Sequence, residues 1–323
     1  MSPNAIARSA VNARMRVAVC LLAGSVGILL GGEPVRKGPP AAEASAVFDP
    51  GHIRAVQLYE KEEESDPTVL FAVRRLGANT VVTHSSPDQA TARAVAAARL
   101  FYIAWMSTED VARAATDADY ADRLRAVQSL SGVYFEDDSA PEGYASPQTQ
   151  ESAYEALRSL FPGVLVLHPT RLDPIASDPT YLDLYFRPQF TDLVTPYFYP
   201  VGTTVIGTFT ENDPWEALLE SLLRAMARRM PPGKGVLPVL QGFEQVGFPL
   251  HRRFPERQSE VYARVWPANE NAAVFAWGSP MPPLIGLGYR PNLRRGVCDL
   301  FAGLSSTPLL CRSTPIVRRH DQP

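Results

Sequence analysis

The chain has 323 residues, 46% hydrophobic and 20% charged, which is ordinary globular material with enough apolar side chain for one large core. A formal net charge of -3 and the absence of a basic stripe interleaved with aromatics argue against a nucleic-acid partner. Proline outnumbers glycine, 30 to 21, so many loops have a fixed geometry.

Residues 1–46 read as a targeting segment and linker. Arg8, Arg14 and Arg16 form a basic start with no acidic residue before Glu33. The uncharged apolar run 17–30 that follows is short for a membrane span. Ala44-Ser45-Ala46 offers a small-x-small cleavage site, although far from the apolar run. The expectation is export to the periplasm or the outside, by a signal peptide. An uncleaved N-terminal anchor is the other reading, and it would be the chain's one membrane contact. Without the leader and its Cys20, Cys298 and Cys311 remain as an even pair. In an oxidising compartment they could close a C-terminal loop, and two unrelated thiols are the alternative.

From residue 47 the pattern becomes regular. A strand-like run at 53–59 precedes a helix at 66–76, with Asp66 as N-cap, Pro67 at the first helical position and Gly77 as the stop. Strands at 79–84 and 100–105 flank an Ala-rich helix at 87–99. One long helix or two fill 108–129. A short β-prone run, Val133 to Phe135, then ends in three consecutive carboxylates, Glu136, Asp137 and Asp138. A helix at 146–160, a strand at 163–168 and a weaker helix at 181–190 follow. The sixth strand, 192–199, contains Pro196. An amphipathic helix at 213–230 has Asp213 as its expected cap. A strand at 236–243, a helix at 255–266, a strand at 272–277 and a last helix at 292–304 complete the series.

Eight strand-then-helix units in about 260 residues imply parallel pairing and a single-domain (β/α)8 TIM barrel over 47–304, with an irregular tail at 305–323. The near-continuous apolar strands fit burial on both faces. An open doubly wound sheet would need a Gly-rich loop after the first strand, and Tyr59-Glu60-Lys61-Glu62 is nothing like one.

In such a barrel the chemistry sits where the strands end. Those ends carry Tyr59, His84 and Trp105 on strands one to three and the acidic run on strand four. His168 follows on strand five, Tyr197 and Tyr199 on strand six, Gln241 and Glu244 on strand seven, and Trp277 on strand eight. Aromatic rings can stack on the apolar face of a sugar while carboxylates bond its hydroxyls. Glycoside hydrolysis needs two carboxyl groups flanking the bond. Asp138 is the candidate general acid, and Glu244, across the mouth, the candidate nucleophile or base. Glu136 and Asp137 are neighbours that would set its pKa or bind hydroxyls. Tyr59, His84, Trp105, His168, Tyr197, Tyr199, Gln241 and Trp277 would line the substrate site. No cofactor is expected. A metal hydrolase would want a His-x-His pair on strand one, which is missing; His84 and His168 stand on separate strands. A Gly-x-Ser-x-Gly elbow is missing too.

Four patches also resemble exported glycoside-hydrolase-like barrels. Gly132-Val133-Tyr134-Phe135-Glu136-Asp137-Asp138 is similar to that family's fourth-strand motif Gly-Trp-Tyr-Leu-x-Asp-Glu-Pro. The run from Asp192 to Tyr199-Pro200 resembles its sixth strand, ending Asp-x-Tyr-Pro. Leu237-Pro238-Val239-Leu240-Gln241-Gly242-Phe243 resembles its seventh, Trp-Pro-Val-Leu-Gln-x-Phe. Ala273-Val274-Phe275-Ala276-Trp277-Gly278 resembles its eighth. The resemblance implies a carbohydrate substrate. Three departures stand out: Asp138 is where the motif has Glu, Ser139 replaces its Pro, and Tyr197 is where Asp is frequent. A shorter carboxylate arm changes reach by about 1 Å, enough to cost a large factor in rate. The alternative expectation is therefore a barrel that binds a saccharide without cleaving it.

Overall fold

The computed structural model describes residues 47–136, 145–204, 207–278 and 284–305, with Glu136 entering through its backbone alone. These residues fall in one compact unit that begins at Val47. The leader, Asp137, Asp138 and Cys311 lie outside the described residues.

In chain order the elements are β1 (Arg54–Gln57), α1 (Lys61–Glu64), α2 (Pro67–Arg75), β2 (Thr80–Val82), α3 (Gln89–Ala97), β3 (Phe101–Ser107), α4 (Thr108–Thr116), α5 (Ala118–Arg125) and β4 (Leu130–Glu136). There follow α6 (Pro147–Leu160), β5 (Leu165–Arg171), α7 (Asp173–Ser177), α8 (Thr180–Tyr185), β6 (Leu193–Tyr197), β7 (Gly202–Thr204), β8 (Gly207–Phe209) and α9 (Trp215–Ala227). Then come β9 (Gly235–Val236), β10 (Val239–Gln241), β11 (Phe243–Gln245), α10 (Phe254–Val265), β12 (Ala272–Phe275), β13 (Leu284–Gly286) and α11 (Pro291–Gly303).

The predicted barrel is present and closed. Parallel pairing runs β10–β12–β1–β2–β3–β4–β5–β6, and β6 returns to β10 through Tyr197 and Val239. The seventh barrel strand is in two pieces, β9 and β10, both paired with β6. Pro238 lies at the break, where it has no N–H to give. The chain still spans the gap by bonds on either side, Leu237 N–H to Val194 O and Ala273 N–H to Pro238 O.

Helix ends follow local chemistry. Asp66 accepts the Thr68 N–H and Ser146 the Thr149 N–H, each just before a proline at the helix start. Asp117 splits the 108–129 region into two helices by accepting the Tyr120 N–H. Asp213 is a correction: its carboxylate accepts the Thr210 N–H and hydroxyl instead, and Pro214 occupies the cap position of α9. The short α1, the short α7 and the two small hairpins, β7 with β8 and β11 with β13, were not expected from the sequence.

Strand parity sorts the core into two layers. Ala55, Val82, Ile103, Tyr134, Leu167, Leu193, Val239 and Ala273 fill the barrel lumen. Their next neighbours, Val56, Ala104, Val133, Val194, Leu240 and Val274, face the helices. The period-2 alternation of a strand therefore buries both faces, which is why the strands read as unbroken apolar runs.

Candidate active site at the barrel mouth

Continuing the lumen parity toward the C-terminal ends of the strands builds a wall of rings. Trp105 stands two residues past Ile103, His84 two past Val82, Tyr197 and Tyr199 four and six past Leu193, and Phe275 two past Ala273. They join Tyr59, just beyond β1, in one arc. His84 stacks on Trp105, with centroids 6.0 Å apart and planes 19° apart. It packs against Tyr59 at 4.8 Å and Phe275 at 5.9 Å. Phe275 stacks on Tyr199 at 5.6 Å, and Tyr199 contacts Tyr197 at 5.4 Å and Phe243 at 5.1 Å. Each such pair adds about 0.5–1.5 kcal/mol beyond its buried area, so the arc is a preorganised surface.

Among the described residues the arc draws on β6, β11, β12, β3 and the ends of β1 and β2, and the ends of β4 and β5 lie beside it. There β4 ends at Glu136, opposite Ser107 of β3. At the end of β5, Arg171 makes a bidentate pair with Asp173, both bonds 2.6 Å. Such a fork holds the guanidinium plane in a fixed orientation.

His84 is a strongly perturbed titratable group of the arc. Burial among the rings pushes its imidazole down to about 4, so it is neutral near pH 7. Its backbone N–H donates to Glu64 Oε1 at 2.7 Å. Glu64, 1% exposed at the end of α1, is held above the ordinary carboxylate range by burial. Hydrogen bonds from Ser85 and His84 work against that rise. This buried carboxylate was not among the expected site residues.

Five of the eight expected substrate-site residues, Tyr59, His84, Trp105, Tyr197 and Tyr199, are thus brought together. The other three are placed elsewhere, each for a definable reason. His168 follows the lumen residue Leu167, so it is on the outer face, packed on Phe135, with Nδ1 3.1 Å from the Phe135 carbonyl oxygen. Trp277 lies past the end of β12 among the helix-facing core and is 5% exposed. Gln241 is fully buried, and its amide bonds only backbone: Oε1 accepts the Val201 N–H, and Nε2 donates to the carbonyls of Val201 and Phe243. It staples the β6–β7 connection to the end of β10. Phe243 and Phe275 also belong to the arc and were not among the expected residues; counting in twos from the lumen residue Ala273 picks out Phe275, whereas Trp277 is two positions further on, in the helix-facing core.

Of the four candidate catalytic carboxylates, Glu136 marks the end of β4, while Asp137 and Asp138 lie outside the described residues. Glu244 is on β11, in the hairpin with β13 that adjoins the mouth. Both its oxygens are engaged. Oε1 accepts the Leu250 N–H at 3.1 Å, and Arg290 Nε lies 2.5 Å from Oε2 as an ion pair, off the axis of a hydrogen bond. Among the described residues no group of three His, Cys, Asp or Glu side chains could hold a metal ion. Nor is any helix among them long and apolar enough to cross a membrane.

These features define a closed (β/α)8 barrel whose C-terminal mouth carries an arc of aromatic side chains. No family model matches the sequence, and no curated protein does. Solved structures share the fold. A hyperthermostable endocellulase superposes with a TM-score of 0.54 at 11% identity, over 77% of this chain and 92% of its own. Two further structures are the FMN-binding beta-glucuronidase from Facaelibacterium prausnitzii L2-6 and the GH2 beta-galacturonidase from Eisenbergiella tayi bound to galacturonate. They match 75% and 79% of this chain at 14% and 15% identity, with TM-scores of 0.46 and 0.48. The chain spans only 40% and 51% of their lengths. The likeness read from four strand patches is thereby met at the level of the fold.

Proposed function

We propose that this barrel is a glycoside hydrolase acting on a poly- or oligosaccharide held at its C-terminal mouth. The observation that carries the reading is the aromatic arc from Trp105 to Tyr197, beside the end of β4, after which the acidic run follows in the sequence. Rings offer faces to the apolar side of a pyranose. A sugar chain on the arc would meet the carboxylates that follow β4. In this reading Asp138 donates its proton to the leaving oxygen as the glycosidic bond breaks, and a water molecule attacks the anomeric carbon and passes a proton to Glu136 or Asp137 of the same run. The barrels it resembles include one named as an endocellulase, which is in keeping with the proposal.

The test is a glycan array probed with wild type and Tyr199→Ala. Retention of a saccharide class by the wild type, weakened about tenfold or more in the variant, is the expected result. No retention, or retention indifferent to Tyr199, removes the mouth as a sugar site. A second reading, binding without cleavage, is favoured by one observation: the carboxylate across the mouth, Glu244, already has both oxygens engaged.

Export and a Cys298–Cys311 disulfide belong to the same proposal. Cys298 is buried on α11, 3% exposed. Mass spectrometry of the protein recovered from periplasm or medium, before and after reduction, should show the lost leader and a two-proton mass difference. An intact leader, or no mass change, counts against the respective part.

A further inference from the structure

Trp105 has a second side. Beyond its stacking on His84 it forms a wall of a cavity of about 600 Å³, between α1 and the loop joining β2 to α3. That volume falls inside the range of roughly 300–1,000 Å³ typical of small-molecule sites. Its indole Nε1 is buried and has no hydrogen-bond partner. The donor is out of reach of the cavity, so what Trp105 offers a ligand there is apolar ring surface.

The rest of the lining narrows the ligand class. Ser65, Ser85 and Ser86 present hydroxyls, and Lys61 and Asp88 bring one charge of each sign. The Asp88 carboxylate is committed to the Ala90 and Thr91 N–H groups at the start of α3, so that helix end is already capped and offers no anion site. The Ser86 hydroxyl donates to Asp110, which leaves its oxygen as an acceptor. The balance of charge, the mixed donors and acceptors, and one indole suit a neutral, hydroxyl-rich ring rather than a fixed ion.

Because Trp105 belongs both to the mouth and to this cavity, we propose that the cavity is a second saccharide subsite, receiving a neutral sugar unit of the same chain held at the mouth. The assignment rests on the mouth being a sugar site. It adds that the protein reads chain length: an oligosaccharide is bound across Trp105, and a monosaccharide reaches the mouth alone.

Ala90 lines the cavity but is exposed on the first turn of α3, outside the arc. Ala90→Phe fills the space from the solvent side without touching the barrel. Wild type and variant would be compared by thermal melting, then on an array of matched mono-, di- and tetrasaccharides. The expected outcome is unchanged melting, tetrasaccharides bound about tenfold more tightly than monosaccharides by wild type, and that advantage lost in the variant with monosaccharide binding intact. Equal affinity for all lengths in the wild type, or a length advantage that survives Ala90→Phe, overturns the subsite and leaves the mouth standing. Saccharide binding absent at every length overturns the mouth, and the subsite with it. If the variant melts early, Ser65→Trp, from the α1 side, takes its place with the same readout.

Discussion

His84→Gln probes how dry the barrel mouth is. The imidazole sits among Tyr59, Trp105 and Phe275, and its protonation is suppressed from the ordinary 6.5 to about 4. In the unfolded chain the same ring takes a proton near 6.5. Between those values the unfolded state holds more protons than the folded one, so stability falls as pH falls through that window and levels off below about 4. At about 1.36 kcal/mol per pH step, the penalty is about 0.2 kcal/mol at pH 7 and about 2 kcal/mol at pH 5. Gln has no such titration. It loses ring contacts, so the variant starts less stable at pH 7, and the informative quantity is the change with pH. Urea unfolding of both proteins at pH 7, 6 and 5 should show the gap between them narrowing by about 2 kcal/mol toward pH 5. Glu64 and the other carboxylates titrate in both proteins and cancel in the difference. Parallel stability curves would mean that His84 is solvated and that the arc is not a dry surface.

Two further outcomes follow from the same geometry. Gln241→Ala strips the partners from the buried Val201 N–H and carbonyl, and should cost about 3 kcal/mol in a denaturant titration; a loss below about 1 kcal/mol would show that the staple is dispensable. Glu244→Gln keeps an acceptor for the Leu250 N–H and gives up the pairing with the partly exposed Arg290. It should cost less than about 1 kcal/mol and, if the barrel turns over a glycoside, leave the rate within about threefold. A loss of about a thousandfold or more would return Glu244 to the nucleophile role.

The barrel was legible because both faces of its parallel strands are buried, so eight apolar runs stand out between helices whose starts are marked by Asp66, Asp117 and Ser146. The break at Pro238 and the hairpins β7–β8 and β11–β13 were not, since segments of two or three residues carry too little periodicity to register. At the site, placing residues at strand ends found Tyr59, His84, Trp105, Tyr197 and Tyr199. It did not by itself distinguish lumen from outer face. His168 looks like a rim residue until it is counted from Leu167. A buried Gln241 amide needs partners, and backbone supplies them, which is decided by a loop forty residues away in sequence. The Glu244 pairing with Arg290 is likewise a tertiary fact, invisible in either segment alone.

If a carboxylate following β4 cleaves a sugar chain lying on the aromatic arc, reducing-end release from the best-retained oligosaccharide depends on Asp138. Wild type should release reducing ends steadily, and Asp138→Asn should be slower by about a hundredfold or more with binding retained. Equal release by the two proteins, or none by a wild type that binds the chain, would contradict that role.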